Sequence, residues 1–437
     1  MRITLAFFLI SALAPAALEQ VALAQASDAP AADAKARAKT VHDLGRQGQD
    51  SIPRIAPYVS DPDQNVRIEA VKALVDIGGP RAVDPLLVAA RDNDPEIQIR
   101  ATDGLVNAYL PGYSKTGMSG TIQRAGNSVR AKFGDTNDQI IDAFVQVRPE
   151  VIVALGKLAR GGASIEARAN AARAVGVLRG REAIPDLIEA LHSKDDAVMY
   201  EALVAIQKIR DPSAAQGIAF LLRDLDDKIQ IAALETTGIL RNRDAAPDLR
   251  DAMEHARNIR VRRTALTALS MIGDKGDRAT FMRDLGDKDE SIRAAAAEGL
   301  ARVKDSGDRA LLEKAFADER KLSPRLSDAF ALVSLGNLAT GEFSPLRYLV
   351  NTLNLRAYRG VAVAFLTELA RDQAVRQAIY PMLPGATRDE KIQVSIVLAR
   401  AGDRDSLPYL ETLSMDPDTN VAQEGVRSLR VLQARLP

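Results

Sequence analysis

Cysteine is absent from this chain. Without a thiol the protein forms no disulfide, binds no zinc through sulfur, carries no thiol-linked lipid and uses no cysteine nucleophile. Tryptophan is absent too, and only eight tyrosines and ten phenylalanines are spread over 437 residues. A core with so few rings must be built from Ala, Leu, Ile and Val, and small residues let helices approach closely. An excess of one charge is also missing, with 58 basic against 58 acidic side chains. No overall field therefore favours nucleic acid. Neither common Gly-rich phosphate loop occurs. Gly117-Met118-Ser119-Gly120-Thr121 has threonine where a nucleophile elbow needs its last glycine, and no strand pattern precedes it. Composition and motifs thus give no catalytic, cofactor-binding or metal-binding residue.

What is present begins with Arg2 and the apolar run Ile3 to Leu18, followed by Ala22-Leu23-Ala24. This reads as a secretory signal peptide over 1–24, with cleavage after Ala24 or, alternatively, after Ala26. Pro15 within the run argues against a retained spanning helix. The expected location is periplasmic or secreted. Residues 25–40 are rich in Ala, Asp and Lys without apolar periodicity and read as a flexible leader.

From there one pattern recurs. With Ala70 as landmark, equivalent positions fall at Ala101, Ala171, Ala202, Ala233, Ala265, Ala296, Asp328, Val361, Val394 and Gly425, in steps of 31 to 33 residues with one gap of 70. A period in this range predicts a solenoid of helix pairs, each unstable alone and stacked on its neighbours. In the clearest copy, Asp61-Pro62 is expected to cap an inner helix, with Val66, Ala70, Ala73, Leu74 and Ile77 on one face and Gly78-Gly79 ending it. The pattern at 61–78, echoed at 260–273 and 287–300, resembles HEAT repeats of the short bacterial kind also seen in phycobilisome lyases and deoxyhypusine hydroxylase. The resemblance spans about 42–435 and implies an all-α fold, an α-solenoid of about eleven HEAT-like helix pairs forming a curved superhelix. The pairs occupy 41–109 and 139–437. The resemblance also implies bonds between neighbouring repeats from an Asp before the inner helix and an Arg within it. Asp61 with Arg67 and Asp287 with Arg293 match that role, whereas Met199, Gln230 and Ala422 do not. The hydroxylase relatives place His-Glu pairs on successive inner helices; here His42, His192 and His255 are far apart and none precedes Glu.

The gap of 70 contains residues 110–138, in which Met118, Ile122, Ala125, Val129 and Phe133 recur at helical spacing beside Arg124, Arg130 and Lys132. Between Lys115 and Lys132 there are four positive charges and no negative one. This basic amphipathic segment, with Tyr113 adjoining, is read either as a partner-binding or anionic-membrane contact through 115–133, or as a degenerate repeat packed on the stack. A second anomaly concerns positions two after the landmark, which should face away from the core because two residues turn a helix by about 200°. Phe330, Val363 and Ile396 are apolar there and Leu326 joins them. Either they line a hydrophobic docking groove, or the late repeats are out of phase and these residues are core.

Acidic clusters such as Asp61-Pro62-Asp63 and Asp287-Lys288-Asp289 sit just before inner helices, where capping favours Asp without calcium. The sequence therefore predicts a non-catalytic adaptor that binds protein or peptide partners along its concave face and insertion, through Tyr113, Lys115, Arg124, Arg130, Lys132, Phe133, Leu326, Phe330, Val363 and Ile396. The alternatives are a lyase- or hydroxylase-like protein that handles a cofactor, and an envelope protein of the membrane surface. The oligomeric state is not readable.

Overall fold

The computed structural model describes residues 33–113, 139–142 and 144–436. Among these residues there is no strand; helices alternate with short turns. The chain divides into two units, Met1–Ser128 and Val129–Pro437. In each, helix pairs are stacked, and the second, inner helix of every pair is labelled here. The first unit contains α1 (Gln64–Ile77) and α2 (Pro95–Asn107). The second contains α3 (Ile165–Val177), α4 (Asp196–Ile209), α5 (Asp227–Ile239), α6 (Ile259–Ile272), α7 (Glu290–Val303), α8 (Leu322–Ser334), α9 (Arg359–Leu369), α10 (Arg388–Ala401) and α11 (Thr419–Arg435). The period in the sequence thus corresponds to eleven inner helices, one for each landmark.

Paired aspartates start five of these helices, with a division of labour that corrects the expected cap. The Asp61 carboxylate accepts the N–H of Asp63 at 2.9 Å, which turns the chain. Asp63 then caps α1 by accepting from the N–H groups of Asn65 and Val66. One oxygen pair makes the turn and the next satisfies orphan donors of the first helical turn. The same two roles recur at Asp92 and Asp94, Asp224 and Asp226, Asp287 and Asp289, and Asp416 and Asp418. Each acidic cluster therefore has a local structural use.

Packing follows the apolar stripes. Val66, Ala70, Ala73 and Leu74 of α1 are buried. Small residues bring neighbouring inner helices into backbone contact: a Cβ at Gly176 in α3 would meet the Ala205 Cα of α4 at 2.7 Å, and one at Gly238 in α5 would meet the Ala268 Cα of α6 at 2.7 Å. Charged rungs tie repeat to repeat. Arg67 reaches Asp92 at 2.7 Å and also donates to the Asp61 carbonyl at 3.0 Å, while Arg293 reaches Glu319 at 2.7 Å and Lys391 reaches Asp416 at 2.8 Å. At Gln230 the rung is replaced by a bond within its own repeat, to the Leu222 carbonyl at 2.8 Å.

Two boundaries differ from the sequence reading. Residues 33–45 are helical rather than part of a flexible leader, because Ala34, Val41 and Leu44 are buried and Arg37 binds Asp61 at 2.7 Å. In α9 the buried landmark is Ala362, and Val361 is 45% exposed, so that repeat is displaced by one position.

The second unit curls back on itself. Asp142, ahead of its first helix, binds Arg427 of α11 across 285 residues, with Oδ1 2.5 Å from Nη2. Regular rotation between successive pairs brings the ends of a solenoid together when enough repeats accumulate.

Candidate functional site

The expected contacts separate into three groups. Lys115, Arg124, Arg130, Lys132 and Phe133 lie outside the described residues. Tyr113 is half-buried at the end of the first unit's described part. The apolar set is not an open groove: Leu326 and Phe330 are each 1% exposed and Val363 is 7% exposed, while Ile396 is half-buried. Two causes account for this. The displaced register of α9 turns Val363 inward and presents Ala364 instead. Phe330 does sit on the inner face, but the neighbouring helices cover it, with Phe365 of α9 stacked at 4.4 Å and the Arg302 guanidinium of α7 5.1 Å from its ring.

Around that ring the inner helices carry a charge network. Arg302 of α7 binds Glu298 of its own helix at 3.2 Å and Glu368 of α9 at 3.0 Å, passing over α8. Arg241, just beyond α5, adds a second guanidinium to Glu368 at 2.9 Å. Burial works to raise the Glu368 carboxyl, yet the Arg302 hydrogen bond and charge, joined by Arg241, hold it below the usual carboxylate range. Burial dominates at Glu298 and pushes its carboxyl up despite Arg302. Ser327 supplies Glu298 with a further bond at 3.3 Å. These pairs tie the inner face of α7 to that of α9.

A different arrangement occurs at the ends of α3, α4 and α10. Arg179 and Arg210 follow the last turns of α3 and α4 in left-handed conformations, with φ of 51° and 57°. Arg241 and Lys304 share a positive φ, and Gly273 takes the left-handed conformation at the end of α6. Arg400 closes the last turn of α10. Among the described residues Arg179, Arg210 and Arg400 are exposed, and none has a carboxylate within ion-pair distance. The cations are close enough to disfavour one another. Desolvation first, then the charges of Arg210, Arg181 and Arg400, lower Arg179, and desolvation with Arg210 and Arg427 lowers Arg400 against the opposing charges of Glu424 and Asp142. Sequence reasoning missed these residues, although a readable signal exists: Arg179, Arg210 and Arg241 stand in successive repeats at the helix-ending position that Gly273 fills elsewhere.

Other chemistry is dispersed. His42 faces Glu69 at 2.9 Å, His192 stacks on Phe220 at 4.5 Å and His255 faces Asp251 at 3.1 Å. Among the described residues no three potential metal ligands converge. A cleft of about 320 Å³ in the second unit is lined by Met253, Arg262, Leu266 and Arg283. Its guanidiniums are already engaged, Arg262 by the Met253 carbonyl at 2.9 Å and Arg283 by Asp284 at 2.7 Å.

Comparison with known proteins agrees with the architecture. A family model described as HEAT repeats matches residues 20–106, 152–219 and 217–284, about half of the chain. No curated protein matches. Among solved structures, the chain is similar to the complex of CpcE and CpcF of phycocyanin lyase from Nostoc sp. PCC7120, at 18% identity over 61% of this chain and 92% of that one, with a TM-score of 0.37. It is also similar to an engineered protein, at 18% identity over 87% of this chain and 98% of that one, with a TM-score of 0.36. Human deoxyhypusine hydroxylase in complex with glycerol is 17% identical over 65% of this chain and 96% of that one, with a TM-score of 0.28. With every score below 0.5, no activity, cofactor or partner is taken from these structures. On the three stretches that match the family model, this chain belongs to the HEAT-repeat family.

Proposed function

We propose that this protein is a non-catalytic scaffold of the periplasm or extracellular space that docks protein or peptide partners on the face lined by its inner helices. The observation that carries the reading is the inner face of the second unit. There α3 to α6 present exposed or half-exposed side chains at repeat spacing, among them Arg173, Arg179, Arg210, Glu235, Arg241 and Thr267. A stack of this kind holds polar groups at fixed intervals on rigid elements, which suits an extended partner better than a small substrate. The basic segment 115–133 is a second contact in this reading, aimed at an acidic partner or an anionic membrane face. The apolar run 3–18 supports export.

Site-specific photocrosslinkers at Glu235 on the inner face and at Glu313 on the outer helix Arg309–Asp318 test the proposal in cells of the native host. Adducts of defined mass at Glu235 and none at Glu313 are expected. Equal labelling at both positions, or a bound chromophore or metal in the purified protein, overturns it. Fractionation with N-terminal sequencing checks export, the expected first residue being Gln25.

A further inference from the structure

We propose that α9 to α11 form an arm that swings away from α3 to α8, and that the Arg427–Asp142 pair is the catch holding it shut over the inner face. The ion pairs Arg302–Glu368, Arg241–Glu368 and Arg427–Asp142 all reach beyond the neighbouring repeat, and each joins the same two bodies. Arg302 and Arg241 belong to the α3 to α8 side and Glu368 to α9. Arg427 belongs to α11, and Asp142 is fixed to the α3 side because the Ile141 N–H donates to the Val177 carbonyl at the end of α3 at 3.0 Å.

The step from α8 to α9 supplies the pivot, and it is built differently from the step before it. After α7 ends at Val303 the chain resumes helical turns at Ser306, but after α8 ends at Ser334 the next helix begins only at Pro345. Residues 335–344 make this longer connection, with Gly336 at a φ of 86° and Phe343 85% exposed. The charged rung changes character here as well. Where Arg293 of α7 reaches Glu319 at 2.7 Å, the corresponding Arg325 of α8 lies 4.9 Å and 5.1 Å from the rings of Phe316 and Tyr348, the latter on the outer helix Pro345–Thr352. Between the inner helices the contact is a ring stack, Phe330 on Phe365 at 4.4 Å. Rings and guanidinium faces slide with less loss than a carboxylate fork turns, and a long connection absorbs the backbone change of a hinge. Arg302 and Glu368 lie beside Phe330, so this pair holds the pivot together.

The catch sits at the far end of the arm. Arg427 grips Asp142 with both sides of its fork, Nε to Oδ2 at 3.2 Å and Nη2 to Oδ1 at 2.5 Å. The pair is open to water, with side-chain exposures of 52% and 27%, and Arg241 of the middle bridge is 50% exposed. Ion pairs in such settings are weak and are screened by salt. Within the α3 to α8 body, by contrast, successive inner helices touch at backbone level, as at Gly176 and Gly238. The seam therefore yields before the stack does. Release of the arm widens the way to the inner face of α3 to α6 for an extended partner; this consequence rests on the scaffold reading, whereas the motion itself does not.

The chain has no cysteine of its own, so Glu182→Cys and Gln423→Cys place two spin labels on opposite sides of the seam without background labelling. Their separation, read by electron–electron double resonance, should lengthen by about one helix diameter, ~10 Å, or more in Arg427→Glu and at raised salt. Asp142→Arg added to Arg427→Glu should restore the short distance, and Arg81→Gln, which removes an exposed pair of the first unit, should leave it unchanged. Circular dichroism checks that the opened variant keeps its helicity; Arg427→Gln replaces it if the reversed charge unfolds the chain, and should lengthen the distance in the same direction. A distance that ignores Arg427, or that the reversed pair fails to restore, overturns the proposal. Photocrosslinking at Glu235 tests admission separately: adduct yield should rise several-fold in Arg427→Gln. An open arm with unchanged yield overturns the gating role, and absence of adducts in every variant sinks the scaffold reading while the measured distances still decide the motion.

Discussion

Arg302 and Glu368 meet across the inner face of the second unit with Nη2 3.0 Å from Oε2, although 66 residues separate them and α8 lies between their helices. The pair seals Phe330 and turns what the sequence presents as an exposed apolar position into core.

Removing one partner should therefore hurt more than removing both. Glu368→Ala leaves the largely buried Arg302 with Glu298 as its one carboxylate partner, at an expected cost of about 2–4 kcal/mol, whereas Arg302→Met combined with Glu368→Leu should cost less than the sum of the single changes. A double-mutant cycle by urea denaturation measures the coupling. Additive losses would show that the two side chains do not act as a unit.

Phe330 distinguishes groove from core. Phe330→Ala should lower stability by about 3–5 kcal/mol, and Phe330→Asp should abolish cooperative unfolding, since the ring is 1% exposed and stacked on Phe365. Circular dichroism during thermal melting reads both. A folded Phe330→Asp protein of unchanged Tm would restore the open groove.

Asp328 gives a pH dependence with a definite sign. It is 2% exposed, and burial, aided by Glu319 and opposed by Arg293 and Arg325, pushes its carboxyl up to about 7. Because the folded value lies above the unfolded one of 3.8, the folded state holds the proton more tightly. Its stabilising effect is complete below pH of about 4 and is lost as pH rises towards 7. Asp328→Asn should gain about 1–3 kcal/mol over the natural chain at pH 8 and little at pH 4. Equal effects at both pH values would show that this carboxyl does not titrate in the window.

The capping aspartates predict a modest, local loss. Asp63→Ala should cost about 1 kcal/mol through the freed N–H groups of Asn65 and Val66. Hydrogen exchange should rise first in the opening turn of α1. Exchange that rises uniformly along α1 would argue against a cap effect.

Arg210→Gly carries the opposite sign. Glycine accepts a φ of 57° without strain and removes one of the repelling charges, so ligand-free stability should rise by about 1 kcal/mol. A protein destabilised by this change would mean that the guanidinium holds the structure together.

The repeat and its helices were legible from residue order because both depend on local chemistry. Aspartates that turn and cap the chain, small residues spaced for close helix packing and apolar stripes at helical period all act within about one repeat of where they stand. The inter-repeat rungs at Arg67 and Arg293 were legible for the same reason. The one-position displacement at Val361 was not, because Ala362 and Val363 offer apolar alternatives that only packing separates. Nor does residue order announce that Arg302 finds Glu368 or that Arg427 finds Asp142. Those meetings depend on small rotations added over successive helix pairs, so only the folded unit decides which distant charges are joined and which remain without a partner.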